Sequence, residues 1–225
     1  MGGLFITFEG GEGSGKSTQI QRLKKWIVHN YHALSLTVTR EPGGTAGAED
    51  IRNLLVNGVA NKWQPATEAL MMSASRHEHV KHVIGPALAR GDVVLCDRFT
   101  DSTHIYQGYV GGVSASLLQA LDTLSCAETM PDLTLLLDID SDRGLARTTT
   151  RGTGENRFEA KGPAFHEQVR QGFIRRAAEY PARIIKLDAN RPETEIADDI
   201  AQIVARLFIA KGLVVTADEG AHKDG

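Results

Sequence analysis

Gly10, Gly11, Glu12, Gly13, Ser14, Gly15, Lys16 and Ser17 stand in one unbroken run, followed by Thr18. The run fits the pattern G-x-x-x-x-G-K-[ST]. Each residue type has a job at that spacing. Glycines let successive backbone N–H groups turn inward and form a nest for phosphate oxygens. A helix that starts near Lys16 aims its positive end at the same place. The Lys16 ammonium can reach the outer phosphates of a nucleoside triphosphate, and the Ser17 hydroxyl can ligate Mg²⁺. The motif specifies a nucleoside triphosphate site but no reaction, because switches, motors and kinases share it.

A second constellation closes the apolar run Val93–Cys96, where Asp97 and Arg98 follow directly. A planar guanidinium delivered to the rim of a sheet can clamp a phosphate with two parallel hydrogen bonds. Asp97 can orient the water shell of Mg²⁺ or act on an attacking phosphate oxygen.

These groups need elements to hold them. Apolar runs of strand length occur at Leu4–Phe8, Leu34–Thr39, Val93–Cys96, Leu133–Asp138 and Arg183–Leu187. Helical periodicity marks Lys16–His29, Ala46–Asn57, Thr67–Arg90, Ser114–Ser125, Pro163–Glu179 and Glu193–Ile209. Alternation of the two kinds predicts an α/β fold with a parallel sheet covered on both faces. Runs such as Leu133–Leu137 suit strands buried on both sides. Residues 1–210 read as a single domain with a lid at about 142–162, and 211–225 as a tail that frays.

Composition excludes several classes. The chain has 225 residues, 41% of them hydrophobic and 24% charged, with a net charge of −3. Such a balance fits a globular domain, and no basic field calls for nucleic acid. No apolar run approaches the ~18 residues of a membrane span. Met1–Ile6 lacks a secretory signal. Cys96 and Cys126 are far apart in sequence and read as reduced thiols of a cytoplasmic protein. His77, His79 and His82 read as a solvated helix face, and Trp26 and Trp63 as packing residues.

Two further segments carry a resemblance. Thr39-Arg40-Glu41-Pro42-Gly43-Gly44-Thr45 follows the second strand, and Asp97-Arg98-Phe99-Thr100-Asp101-Ser102-Thr103-His104-Ile105-Tyr106-Gln107 follows the third. With Pro131–Asp138 and the phosphate loop, in this order and spacing, the chain resembles the thymidylate kinase family. The resemblance implies a P-loop NTPase three-layer fold, a five-stranded parallel sheet flanked by helices with a short lid. It implies phosphorylation of dTMP to dTDP by ATP with Mg²⁺, in a homodimer. Rival readings are a nucleoside monophosphate kinase with another base preference, and a P-loop switch protein. The switch needs a base-reading N-K-x-D, and Asn61-Lys62-Trp63-Gln64 lacks the Asp.

By that resemblance, Glu12 holds the 3′-hydroxyl of the deoxyribose and Arg76 the carbonyl edge of thymine. Ser102 and Thr103 lie along the base, and Tyr106 packs where a 2′-hydroxyl would sit. Arg40 and Arg52 lie near the acceptor phosphate, with Pro42 and Gln107 also in the acceptor site. Met72 stands where relatives usually stack a Phe on thymine. Gly13 stands where some relatives carry an arginine, so the lid must bring the charge. Arg143, Arg147, Arg151 and Arg157 are available, and Arg151 and Arg157 are the expected catalytic pair beside Lys16, Asp97 and Arg98. Ser17 and Asp97 are the expected metal-site residues.

Overall fold

The structure is a computed structural model that describes residues 2–149 and 156–214. In chain order the elements are β1 (Leu4–Glu9), α1 (Lys16–Asn30), β2 (Leu36–Arg40), α2 (Ala46–Val56) and α3 (Pro65–His79). A wide π turn, Val80–Ile84, leads into α4 (Gly85–Ala89), β3 (Val93–Asp97) and α5 (Thr100–Thr103). A second wide turn, His104–Val110, precedes α6 (Ala115–Cys126), β4 (Leu133–Asp138), α7 (Ser141–Thr149) and α8 (Asn156–Glu159). The chain continues with α9 (Pro163–Glu179), β5 (Ile184–Asp188) and α10 (Glu193–Ala210).

The five strands are all parallel, in the order β2-β3-β1-β4-β5. Strand β1 is central because its two faces both find apolar cover. Leu4, Ile6 and Phe8 pack with Ile20, Leu23 and Ile27 of α1 and with Ile200, Val204 and Phe208 of α10. Phe5 turns the other way, toward Val80, Ile84 and Phe99. Thr7, buried on that second face, satisfies its hydroxyl on Thr134 Oγ1 at 2.8 Å. Burying these side chains is worth about 1.5–3 kcal/mol each before entropy is counted.

Local signals explain most boundaries. Thr45 caps α2 by accepting from the Ala48 N–H at 3.1 Å, and Ser114 caps α6 through Leu117 N–H at 3.3 Å. Pro65 and Pro163 open α3 and α9, where a missing N–H costs nothing. The expected long helix Thr67–Arg90 is one run with a loosened middle. Pro86 has no N–H and its ring crowds the carbonyl a turn earlier, so Gly85 N–H reaches back to Val80 O instead. Strand β2 starts later than expected because Leu34 N–H bonds Tyr31 O and closes a turn.

Candidate active site

The loop between β1 and α1 runs at the carboxyl end of the central strand, where parallel α/β sheets bind ligands. Gly10, Gly13 and Gly15 have φ of 142°, 66° and 91°, a region that other residues enter at a cost. Lys16 folds back over the loop and donates to Gly10 O (3.2 Å), Gly11 O (3.1 Å) and Ser14 Oγ (3.3 Å). Burial, and then the nearby Arg98 guanidinium, lowers its pKa from the usual lysine value. Ser17 Oγ donates to Asp97 Oδ2 at 3.0 Å, and Thr18 follows in the first turn of α1.

Two cavities open from this loop. One is lined by Glu12, Pro42, Arg52, Met72, Arg76, Arg98, Ser102, Thr103, Tyr106, Gln107 and Phe158. The other is lined by Ser17, Thr39, Arg40, Thr45, Glu49 and Asp97, among others. The structure therefore gathers in the first cavity every residue expected at an acceptor site except Arg40. That side chain is exposed in the second cavity and holds Glu49 through one nitrogen, at 3.0 and 3.1 Å. Arg52 donates to Pro42 O at 2.6 Å.

Arg98 ties the two motifs together. Its Nη1 donates to Gly10 O and Ser102 Oγ, both at 3.0 Å, and its Nη2 to Glu12 Oε1 at 2.8 Å. Its φ is 67°, and its own N–H donates to Phe8 O at 2.9 Å. Glu9, buried at the end of β1, accepts from Phe99 N–H (2.8 Å), Ser102 N–H (3.2 Å) and Ser102 Oγ (2.6 Å). Burial, and then Asp101, pushes the Glu9 carboxyl up to about 7 against the pull of Arg98. Glu12 is half-buried, and loss of water opposes its ionisation, but Arg98 and Lys16 bring its pKa below the usual value. Tyr106 Oη donates to Glu12 Oε1 at 3.0 Å.

Arg76, also buried, donates through Nε to Glu41 Oε2 (2.8 Å) and through Nη2 to Thr103 Oγ1 (2.9 Å). Its Nη1 and the Oε1 of Gln107 are buried without a partner among the described residues. The other face of Glu41 meets His79 Nδ1 at 3.0 Å, and His79 Nε2 meets Thr39 Oγ1 at 2.6 Å. His79 is fully buried, so the expectation of a solvated histidine face is corrected at this position. Gly44 makes the space, since a Cβ there would stand 2.4 Å from the His79 ring. His77 and His82 are exposed, as expected.

The arginines expected in a lid do not sit together among the described residues. Arg147 Nη1 approaches Gly13 O at 3.5 Å, and Arg143 donates to Asn190 at 3.3 Å. Arg151 lies outside the described residues. Arg157 departs from the expected place over the phosphates. It is fully buried, paired with Glu68, and donates to Leu55 O at 2.8 Å. A buried pair of this kind is costly to break, because one charge is left uncompensated. Several contributors were missed from sequence, Glu41, Glu68, Glu9 and Phe158 among them. Glu68 precedes Met72 and Arg76 at i+4 intervals, a signal that could have found it. Glu9 ends an apolar strand, and Phe158 follows a lid arginine; neither pattern by itself points into the site.

Comparison with known proteins agrees with this geometry. The family model for thymidylate kinase matches residues 8–200. A thymidylate kinase of Caulobacter vibrioides is 50% identical over 204 residues, 91% of this chain and 97% of its own length. One from Magnetococcus marinus is 46% identical over 211 residues, 93% of this chain and 100% of its own. The crystal structure of thymidylate kinase from Ehrlichia chaffeensis superposes with a TM-score of 0.72 at 33% identity, covering 91% of this chain and 99% of that one. By motif order, sheet topology and identity along almost its whole length, the chain belongs to the thymidylate kinase family.

Proposed function

We propose that this chain transfers the γ-phosphoryl group of ATP to dTMP, giving dTDP and ADP, with dTMP in the first cavity and the ATP phosphates on the glycine loop. One observation carries the reading of the first cavity. Its wall holds a buried donor, Arg76 Nη1, and a buried acceptor, Gln107 Oε1, neither with a partner among the described residues. Buried polar atoms are nearly always paired. Thymine offers the complement, a C4 carbonyl beside an N3–H. Glu12, ionised and already oriented by Arg98 and Tyr106, accepts from the 3′-hydroxyl, and the Tyr106 ring fills the space of a 2′-hydroxyl.

Catalysis is positioning and charge neutralisation, with no covalent protein intermediate. Arg98 and Arg52 hold the acceptor phosphate, while Lys16 and the loop N–H groups hold the donor phosphates. A lid arginine meets the moving phosphoryl. Ser17 Oγ and Asp97 Oδ2, 3.0 Å apart, are hard oxygen donors of the kind Mg²⁺ takes alongside phosphate oxygens and water. Bound there with ATP, Mg²⁺ would neutralise charge on the donor phosphates.

The reading includes a homodimer. Leu70 and Ala74 on α3, and Leu117 and Leu124 on α6, remain exposed on two helices that pack together. Buried free thiols at Cys96 and Cys126 accord with a cytoplasmic enzyme. A coupled assay for ADP release with a panel of monophosphates tests the substrate. The reading expects the highest kcat/KM with dTMP, and a higher value with dCMP, UMP or a purine monophosphate would overturn it. Sedimentation at micromolar concentration tests the dimer.

A further inference from the structure

Beside the acceptor cavity stands a carboxylate that phosphoryl transfer does not use. Glu68, on α3, is 4% exposed. Its Oε2 accepts from Gln107 Nε2 at 2.8 Å, and its Oε1 accepts from Arg157 Nη2. Arg157 also reaches Leu55 O, near the end of α2. The next residue, Phe158, forms part of the cavity wall, edge-on to Tyr106 with centroids 5.7 Å apart. One buried side chain thus joins α3, the turn that carries Gln107, and the end of the lid.

The chemistry of this contact fixes a direction. A carboxylate paired with a guanidinium has no hydrogen to give. Gln107 can meet it only with its NH₂ group, so its carbonyl oxygen must point the other way. That oxygen is the unpartnered acceptor of the cavity wall. Thymine and uracil present N3–H to such an acceptor. Cytosine presents a bare N3, and two acceptors face to face repel. A neutral amide in place of Glu68 would let Gln107 turn over and would erase the distinction.

We propose that Glu68 is a positioning residue for base choice. It fixes the amide of Gln107 and, through Arg157, the wall that carries Phe158, and so fits the cavity to a pyrimidine with an imide N3–H. The inference rests on the reading of this cavity as the dTMP site.

Steady-state kinetics with dTMP, dUMP and dCMP test it, using the parent, Glu68→Gln/Arg157→Met and Gln107→Leu. The double variant removes both charges together, so no buried guanidinium is left unpaired. The expected result is a fall of about tenfold or more in the ratio of kcat/KM for dTMP over dCMP, the size of effect a misplaced hydrogen-bonding group produces. The dTMP:dUMP ratio and the KM for ATP should hold, because both bases keep the imide and ATP binds elsewhere. If Gln107→Leu lowers the dTMP:dCMP ratio and the double variant does not, Glu68 has no part in base choice and the cavity reading stands. If neither variant lowers it, the reading of Gln107 at the base fails, and this inference with it. A rise in KM for ATP and dTMP together, with the ratio unchanged, marks Glu68 as merely structural and overturns the proposal. Should the double variant not fold, Glu68→Asp keeps the charge for Arg157 but falls short of Gln107. It should lower the same ratio without moving the KM for ATP, and an unchanged ratio there overturns the proposal equally.

Discussion

A Cβ on Gly13 would stand 2.0 Å from the carbonyl oxygen of Gly144. The phosphate loop and helix α7 meet here backbone to backbone. The contact is mutual, since a Cβ on Gly144 would lie 2.4 Å from Glu12 O. Gly13 also has φ of 66°, where a side chain is strained whatever the space. Its lack of a side chain is therefore a packing requirement. The position that carries an arginine in some relatives cannot carry one here unless α7 moves.

Gly13→Ala should push α7 off the loop. The left-handed backbone alone costs about 1–2 kcal/mol, and the clash adds to it. The expected outcome is a raised KM for ATP and a lower kcat, with a melting temperature down by a few degrees. Kinetics at several ATP concentrations, beside a thermal melt, would show it. Wild-type values on both measures would mean that the lid does not rest on Gly13 during turnover.

Lys16→Met should abolish phosphoryl transfer and leave the fold in place. Lys16 is bonded to its own loop rather than to the core, and methionine keeps the length of the stem. What is lost is positive charge on the donor phosphates. Near-parental turnover in the variant would remove the glycine loop from the mechanism.

Much of this was legible in sequence, for physical reasons. Strands buried on both faces leave continuous apolar runs, so Leu133–Asp138 was readable to the residue. The phosphate loop was readable because its chemistry demands glycines at fixed spacing. His79 was not, because its burial depends on Thr39, Glu41 and the gap at Gly44, all distant in sequence. Arg157 was misplaced for a related reason. An arginine in a lid says that charge is present, but its direction is set by Glu68, on another helix.

Glu9 supplies a pH signature. Its carboxyl lies at about 7 in the fold against 4.5 in the open chain. A raised carboxyl binds more protons folded than unfolded between those values. Stability from this group therefore falls as pH rises from about 4.5 to about 7, and then levels. Asp101, which adds to the effect, is itself held by Arg176 and Arg183. Subtracting the unfolding free energy of Glu9→Gln, which cannot titrate, isolates the carboxyl. Across that window the difference should move against the parent by up to about 3 kcal/mol. Denaturant titrations at pH 4.5, 6 and 8 measure it, and a flat difference would falsify the assignment.

The lid arginines should divide by kinetic parameter. Arg147 reaches the carbonyl of Gly13, so it already stands at the phosphate loop. Arg157 is enclosed with Glu68, and its neighbour Phe158 lines the acceptor cavity. Loss of a group that only shapes a binding wall falls on KM. Loss of a charge met chiefly in the transition state falls on kcat. Arg157→Met should therefore raise the KM for dTMP several-fold and change kcat by less than about threefold. Arg147→Met combined with Arg151→Met should lower kcat with little change in either KM. An arginine acting on a transferring phosphoryl is worth about 10³–10⁵ in rate in related systems. With Lys16 and Arg98 still in place, about 10²-fold is the expected loss for the pair. Should Arg157→Met alone cut kcat by that factor at unchanged KM, then Arg157 leaves Glu68 during the reaction and carries the catalytic charge itself.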